Sequence, residues 1–122
     1  MQVYQLDNGD LNYWVAQSLE LRVVPLGDGW AMEASPSTLW SPRSDWRIGG
    51  PILHEQKVSV IYVKNAEGCK AECHIYRSRE RPPHRVGRQW GDDPLQAGLR
   101  ALVHAVHGEE VESPLQHFEN LL

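Results

Sequence analysis

Residues 93–108, DPLQAGLRALVHAVHG, constrain the fold more than any other segment of the chain. Asp93 suits the N-cap of a helix, Pro94 its first position and Gln96 its third, where a glutamine completes a capping box. Gly108 stands where a C-terminal glycine ends the helix, and His104 and His107 fall in the last turn, where the helix dipole favours cations. Leu95, Leu99, Leu102, Val103 and Val106 recur at helical spacing and form one apolar stripe. Such a stripe must be covered, so the remaining chain has to supply a second layer. With 122 residues there is room for one core, and a single domain over 1–112 is expected, followed by a tail at 113–122, docked or flexible.

The covering elements read less sharply. Leu11, Trp14, Val15 and Leu19 predict a helix over 11–20, opened by Asp10 as cap. Arg22–Leu26 and Trp30–Ala34, joined by Gly27-Asp28-Gly29, predict a β-hairpin. Residues 35–51 hold three prolines, four serines and the Gly49-Gly50 pair, and are expected to be irregular, with a helical turn near Ser44–Arg47 and a backbone turn at Gly49-Gly50-Pro51. The run Val58–Val63 is apolar on both faces, as in a central strand, and after a turn at Asn65–Gly68 the alternation in Cys69–Tyr76 predicts its antiparallel partner. Arg77–Arg88, with five arginines against one glutamate, reads as an exposed, mobile connection. The expected fold is α+β: a small antiparallel sheet of about four strands packed against an N-terminal and a C-terminal helix.

Charge and motif content exclude several classes. A net charge of −4 argues against a general nucleic-acid coat, which needs clustered cations, and no run approaches the apolar length of a membrane span. The N-terminal ten residues lack the basic and apolar regions of a secretory signal, and two cysteines are too few for a disulfide framework, so a cytoplasmic setting is expected. Cys69, Cys73 and His74 lack a second ligand pair for zinc, His104 and His107 lack the spacing of a metalloprotease helix, and Gly49-Gly50-Pro51 fits no phosphate-binding loop. No metal and no cofactor are expected.

Two segments stand above this background. Trp40-Ser41-Pro42-Arg43-Ser44-Asp45-Trp46 places two aromatic faces, an arginine fork and an acid within seven residues, the groups that stack bases and hold anions. The same residues also suit a structural role, with Asp45 as a cap and Trp46 in the core. The second segment is the arginine-rich stretch with Trp90 behind it, suited to phosphate contact or to a solvated linker. The candidate ligand-binding residues are Trp40, Ser41, Arg43, Asp45, Trp46, Arg47 and Trp90, with no catalytic set assembled. A small hydrolase using Asp45 and a histidine is a third, weaker class.

Three blocks of the sequence resemble the NinX-like family of small phage proteins: LDNGDLNYWVAQSLEL with its central Trp14-Val15-Ala16, LWSPRSDWRIGGPIL, and DDPLQAGLRALVHAVHGEEVESP. The family's Ser-Pro, Asp-Trp and Gly-Gly-Pro-Ile fall on Ser41-Pro42, Asp45-Trp46 and Gly49-Gly50-Pro51-Ile52. The resemblance implies a phage or prophage protein acting in the bacterial host cytoplasm, without an established enzymatic activity. For such an accessory protein the expectation is a non-enzymatic, homo-oligomeric counter-defence factor that sequesters a nucleotide-type immune signal, with Trp40 or Trp46 stacking the base and arginines neutralising phosphate. The alternative is an inhibitor that binds a host or phage protein through Trp40, Trp46 and Trp90.

Overall fold

In a computed structural model that describes residues 1–62, 67–75 and 85–122, the helix α3, Pro94–His107, lies at the centre of the molecule. Asp93 accepts a hydrogen bond from the Gln96 N–H at 2.9 Å, and Gly108 closes the helix at a φ of 89°. The Gln96 side chain accepts from Asp92 N–H at 2.7 Å, one residue earlier than a capping box requires. Leu95, Leu99, Leu102 and Val103 are buried as the stripe predicts, and so are Gln96, Ala97, Gly98, Ala101 and Ala105, because α3 is covered on more than one side.

One covering layer is a three-stranded antiparallel sheet of β3 (Ser59–Ile61), β4 (Cys69–Ile75) and β5 (Arg85–Gly91), in the order β3-β4-β5. Cys69, Ala71 and Cys73 of β4 are buried at alternate positions. Gly87 and Gly91 let β5 approach α3 closely: a Cβ on Gly87 would lie 2.0 Å from the Ala101 carbonyl oxygen, and one on Gly91 2.4 Å from the Ala97 nitrogen. The opposite face carries Ser59, Ile61, Lys70, Glu72, His74, Val86, Arg88 and Trp90 by alternation.

The other layer is helical. Helix α1 (Asn8–Ser18) buries Leu11, Tyr13, Trp14, Val15 and Ala16, and helix α2 (Trp46–Glu55) buries Ile52 and Leu53. A separate hairpin, β1 (Val23–Leu26) with β2 (Gly29–Met32), packs beside α1 and buries Trp30 and Ala31; its turn needs the positive φ of 59° at Gly27. Helix α4 (Pro114–Asn120), capped by Ser113, seats Phe118 against Trp30 and His117 against Tyr13 and Trp14, so residues expected to be a tail are docked on the core. The first and last blocks also meet: Val3 N–H donates to the Glu109 carbonyl at 2.8 Å, and Val111 N–H to that of Met1 at 2.9 Å.

The fold is therefore α+β, as expected, but the five strands among the described residues divide into two sheets. Four elements differ from the sequence reading. Helix α1 starts at Asn8 after Asp7 rather than after Asp10. Residues 46–55 form α2, so Gly49, Gly50 and Pro51 are helical instead of a backbone turn. The strand at 59–61 is an edge, with Ser59 and Ile61 exposed, and β4 takes the central place. Arg85–Arg88, expected within a connection, belongs to β5; the rest of that stretch, 77–84, and much of the turn at 65–68 lie outside the described residues.

Candidate functional site

The segment Trp40–Arg47 leads from the hairpin into α2. Trp40 N–H donates to the Trp30 carbonyl at 2.8 Å, and the half-buried Trp40 ring packs on the core. Ser41 Oγ accepts from Asn12 Nδ2 at 3.1 Å and shares a hydrogen bond with Ser44 Oγ at 2.6 Å. Asn12 Oδ1 in turn accepts from Arg43 N–H at 2.9 Å. Asn12 is buried with both ends of its amide bonded, so it clamps this segment to α1.

Arg43 faces inward. Its Nε donates to Asp7 at 2.5 Å and its Nη1 lies 3.1 Å from Asp93, so one guanidinium joins the caps of α1 and α3. Burial raises the Asp7 pKa, but hydrogen bonds from Arg43, Asn8 N–H and Gln96 outweigh it and hold the carboxyl below its ordinary value. Arg100 lies next to this cluster, donating to the carbonyls of Leu6 at 2.8 Å and Trp90 at 3.0 Å; burial lowers its pKa against the pull of Asp7, Asp92 and Asp93.

Asp45 caps α2, accepting from Arg47 N–H at 3.0 Å and from the Arg47 side chain at 3.2 Å. Those hydrogen bonds keep the Asp45 carboxyl below its ordinary value. Asp45 is therefore the cap that the structural reading of the motif expected, while Trp46 is not in the core: it is 59% exposed. Gly49 explains why α2 has glycine in its interior, since a Cβ there would lie 2.3 Å from the Pro42 carbonyl oxygen and 2.6 Å from Leu95. A Cβ added at Gly50 would lie 3.0 and 3.1 Å from atoms of the Trp46 indole, so the ring lies over the glycine.

Trp90, 48% exposed, is on β5 in register with Lys70 and Ile61 across the outer sheet face, a different element from the motif segment. The predicted residues thus divide into three settings. Trp40, Ser41 and Arg43 hold the fold together, Asp45, Trp46 and Arg47 form an exposed corner, and Trp90 sits on the sheet. Clefts of about 300 to 450 Å³ open on the described surface, and Ser41 lines one of about 300 Å³ with Asn8, Asn12, Asp28 and Leu39.

Sequence reasoning missed Asn12, Asp7 and Arg100, whose roles depend on partners 29 to 94 residues away. It also missed a ring cluster beneath α4. Tyr13 Oη and His117 Nδ1 are 2.5 Å apart, and His107 meets Trp14 edge-on at a centroid distance of 5.0 Å. Burial, with Glu112 nearby, pushes the Tyr13 pKa up to about 12; burial, with His117 and Arg85, draws His107 down. Cys69 and Cys73 are buried thiols, and burial pushes Cys73 up to about 11. Among the described residues no three His, Cys, Asp or Glu side chains are grouped to hold a metal ion, and no helix is long and apolar enough to cross a membrane.

No curated protein matches the chain. The profile of the family described as "Bacteriophage P22, NinX" matches residues 2–105, which include the Trp40–Arg47 segment, the caps that Arg43 joins and most of α3; the chain belongs to this phage protein family.

Proposed function

We propose that this phage protein is a non-enzymatic binding protein that docks a protein partner through the corner formed by Trp46 and Arg47. The observation that carries the reading is the contrast between the two arginines of the motif. Arg43, the natural fork for a phosphate, is engaged by Asp7 and Asp93, whereas Trp46 is turned outward beside the exposed Arg47. An outward tryptophan flanked by an arginine on a capped helix end has the composition of an interface hot spot. In the bacterial cytoplasm of an infected host, such a partner belongs to the host or the phage, and inhibition of a defence protein is the role that fits an accessory phage gene. Sequestration of a nucleotide signal is the competing reading; within the motif segment it draws on Trp46 and on an Arg47 already paired with Asp45.

Affinity capture from host lysate, followed by native mass measurement of the eluted protein, separates the two. Docking predicts one stoichiometric protein partner, with binding weakened about 30-fold by Trp46→Ala while helix content is unchanged. Co-purification of a small molecule of nucleotide mass, with no protein partner, overturns it in favour of sequestration.

A further inference from the structure

The two edges of the three-stranded sheet are treated differently. Side chains of α3 close the β5 edge: Arg88 N–H donates to His104 Nδ1 at 3.1 Å, and the Trp90 carbonyl accepts from Arg100 at 3.0 Å. In antiparallel pairing, backbone groups point alternately toward one neighbour and the other. Arg88 and Trp90 point away from β4, so their partners Glu72 and Lys70 point toward β3 and bond Ser59 and Ile61. Val60, between them, directs its N–H and carbonyl outward. Val58 also points outward, and its N–H is taken by the Leu53 carbonyl at 2.9 Å. Continued one residue past β3, the same alternation would turn the backbone of Tyr62 outward.

Among the described residues no strand pairs with this edge, which is apolar and uncharged. Val58 to Tyr62 contains no Asp, Glu, Lys or Arg, and Ile61 and Tyr62 are 48% and 71% exposed. Edges of this kind, without a blocking charge or proline, are templates for another strand. We propose that the β3 edge pairs with the β3 edge of a second copy of this chain, antiparallel about a two-fold axis at Ile61. In that register Val60 of each copy faces Tyr62 of the other, so both outward backbone pairs are used. Ile61 meets its own symmetry mate on the outer face, at the Cα separation of about 4.5 Å of a non-hydrogen-bonded pair. A register centred on Val60 would place Tyr62 opposite Val58, whose N–H is already bonded. A second copy suits the edge because self-pairing of an uncharged strand sets no like charges against each other. The contact is small, so the dimer is weak and depends on concentration.

Sedimentation equilibrium of the full chain, from micromolar to sub-millimolar concentration, tests this. The mass is expected to rise from one subunit toward two. Ile61→Lys, which sets two lysines across the axis at an exposed position, raises the dissociation constant about tenfold or more. Val60→Pro removes an N–H that β4 does not use and acts in the same direction, with the native circular dichroism retained. Ile61→Cys yields a disulfide-linked dimer on mild oxidation, which the native chain, with its two buried thiols, does not. A monomer at every concentration, or a dimer indifferent to both Ile61→Lys and Val60→Pro, overturns the proposal.

Discussion

Arg43 shows how one side chain can serve two helices. Its guanidinium reaches Asp7 and Asp93, which lie 86 positions apart in the chain, and its own N–H is held by Asn12. Arg43→Ala leaves two carboxylates facing one another beside Arg100 and is expected to lower stability by about 2 kcal/mol in a denaturant melt. Arg43→Lys recovers only part of the loss, because an ammonium lacks the fork that spans both acceptors. Asp7 gives the bridge a pH signature. Its folded pKa is below the ordinary 3.8, so its stabilisation is complete above that value and is lost as pH falls through the folded value; melts in acid should show this slope in the native chain and a shallower one in Arg43→Ala. His107 acts in a milder range. Its Nε2 is buried with no partner among the described residues, and its pKa lies below the usual 6.5. The unfolded chain therefore takes up the proton first, and stability is full above about pH 6.5 and declines as pH falls toward the folded value. His107→Phe keeps a ring against Trp14 and should flatten that decline.

Helix α2 is the element that the sequence hid, and its glycines give the sharpest contrast. Gly49→Ala drives a methyl group into the Pro42 carbonyl and Leu95, and is expected to cost about 3 kcal/mol in a thermal or denaturant melt. Gly50→Ala meets only the exposed Trp46 ring, which can move, and helix propensity gains about 1 kcal/mol, so stability should hold while binding through Trp46 weakens. Two glycines and a proline in succession read as a turn because propensity sees only the local chain; here close packing against Pro42 and Leu95 overrides it. Helix α3 was legible to the residue, since its cap, proline, stripe and terminal glycine all act within one element. The hairpin was legible for the same reason, through Gly27. β5 was not: glycines at positions 87 and 91 and arginines at 85 and 88 hide a strand that comes close to α3 where Gly87 and Gly91 lack side chains. In the candidate site, Asp45 as a cap could be read from spacing, whereas the inward turn of Arg43 depends on partners that no local pattern reveals.

At the scale of the whole molecule, α4 completes the core. It covers Tyr13, Trp14 and Trp30 with His117 and Phe118, so removal of residues 113–122 should lower the melting temperature and shift tryptophan emission to the red. The thiols of Cys69 and Cys73 report on the integrity of the same core. Both are buried, and burial pushes the Cys73 thiol up to about 11, so a thiol reagent at neutral pH should label neither until the chain unfolds.

The meeting of the two ends of the domain has a consequence for synthesis. Residues 1 to 6 are made before residues 100 to 111, yet Val3 waits for the Glu109 carbonyl and Met1 for Val111, while Leu6 is held by Arg100. Helix α1 therefore emerges from the ribosome with Tyr13 and Trp14 uncovered and has its covering only when α3 and the segment after it have followed. A chain interrupted before residue 111 lacks the segment that holds Met1 and Val3, so this fold closes only once that segment has been made.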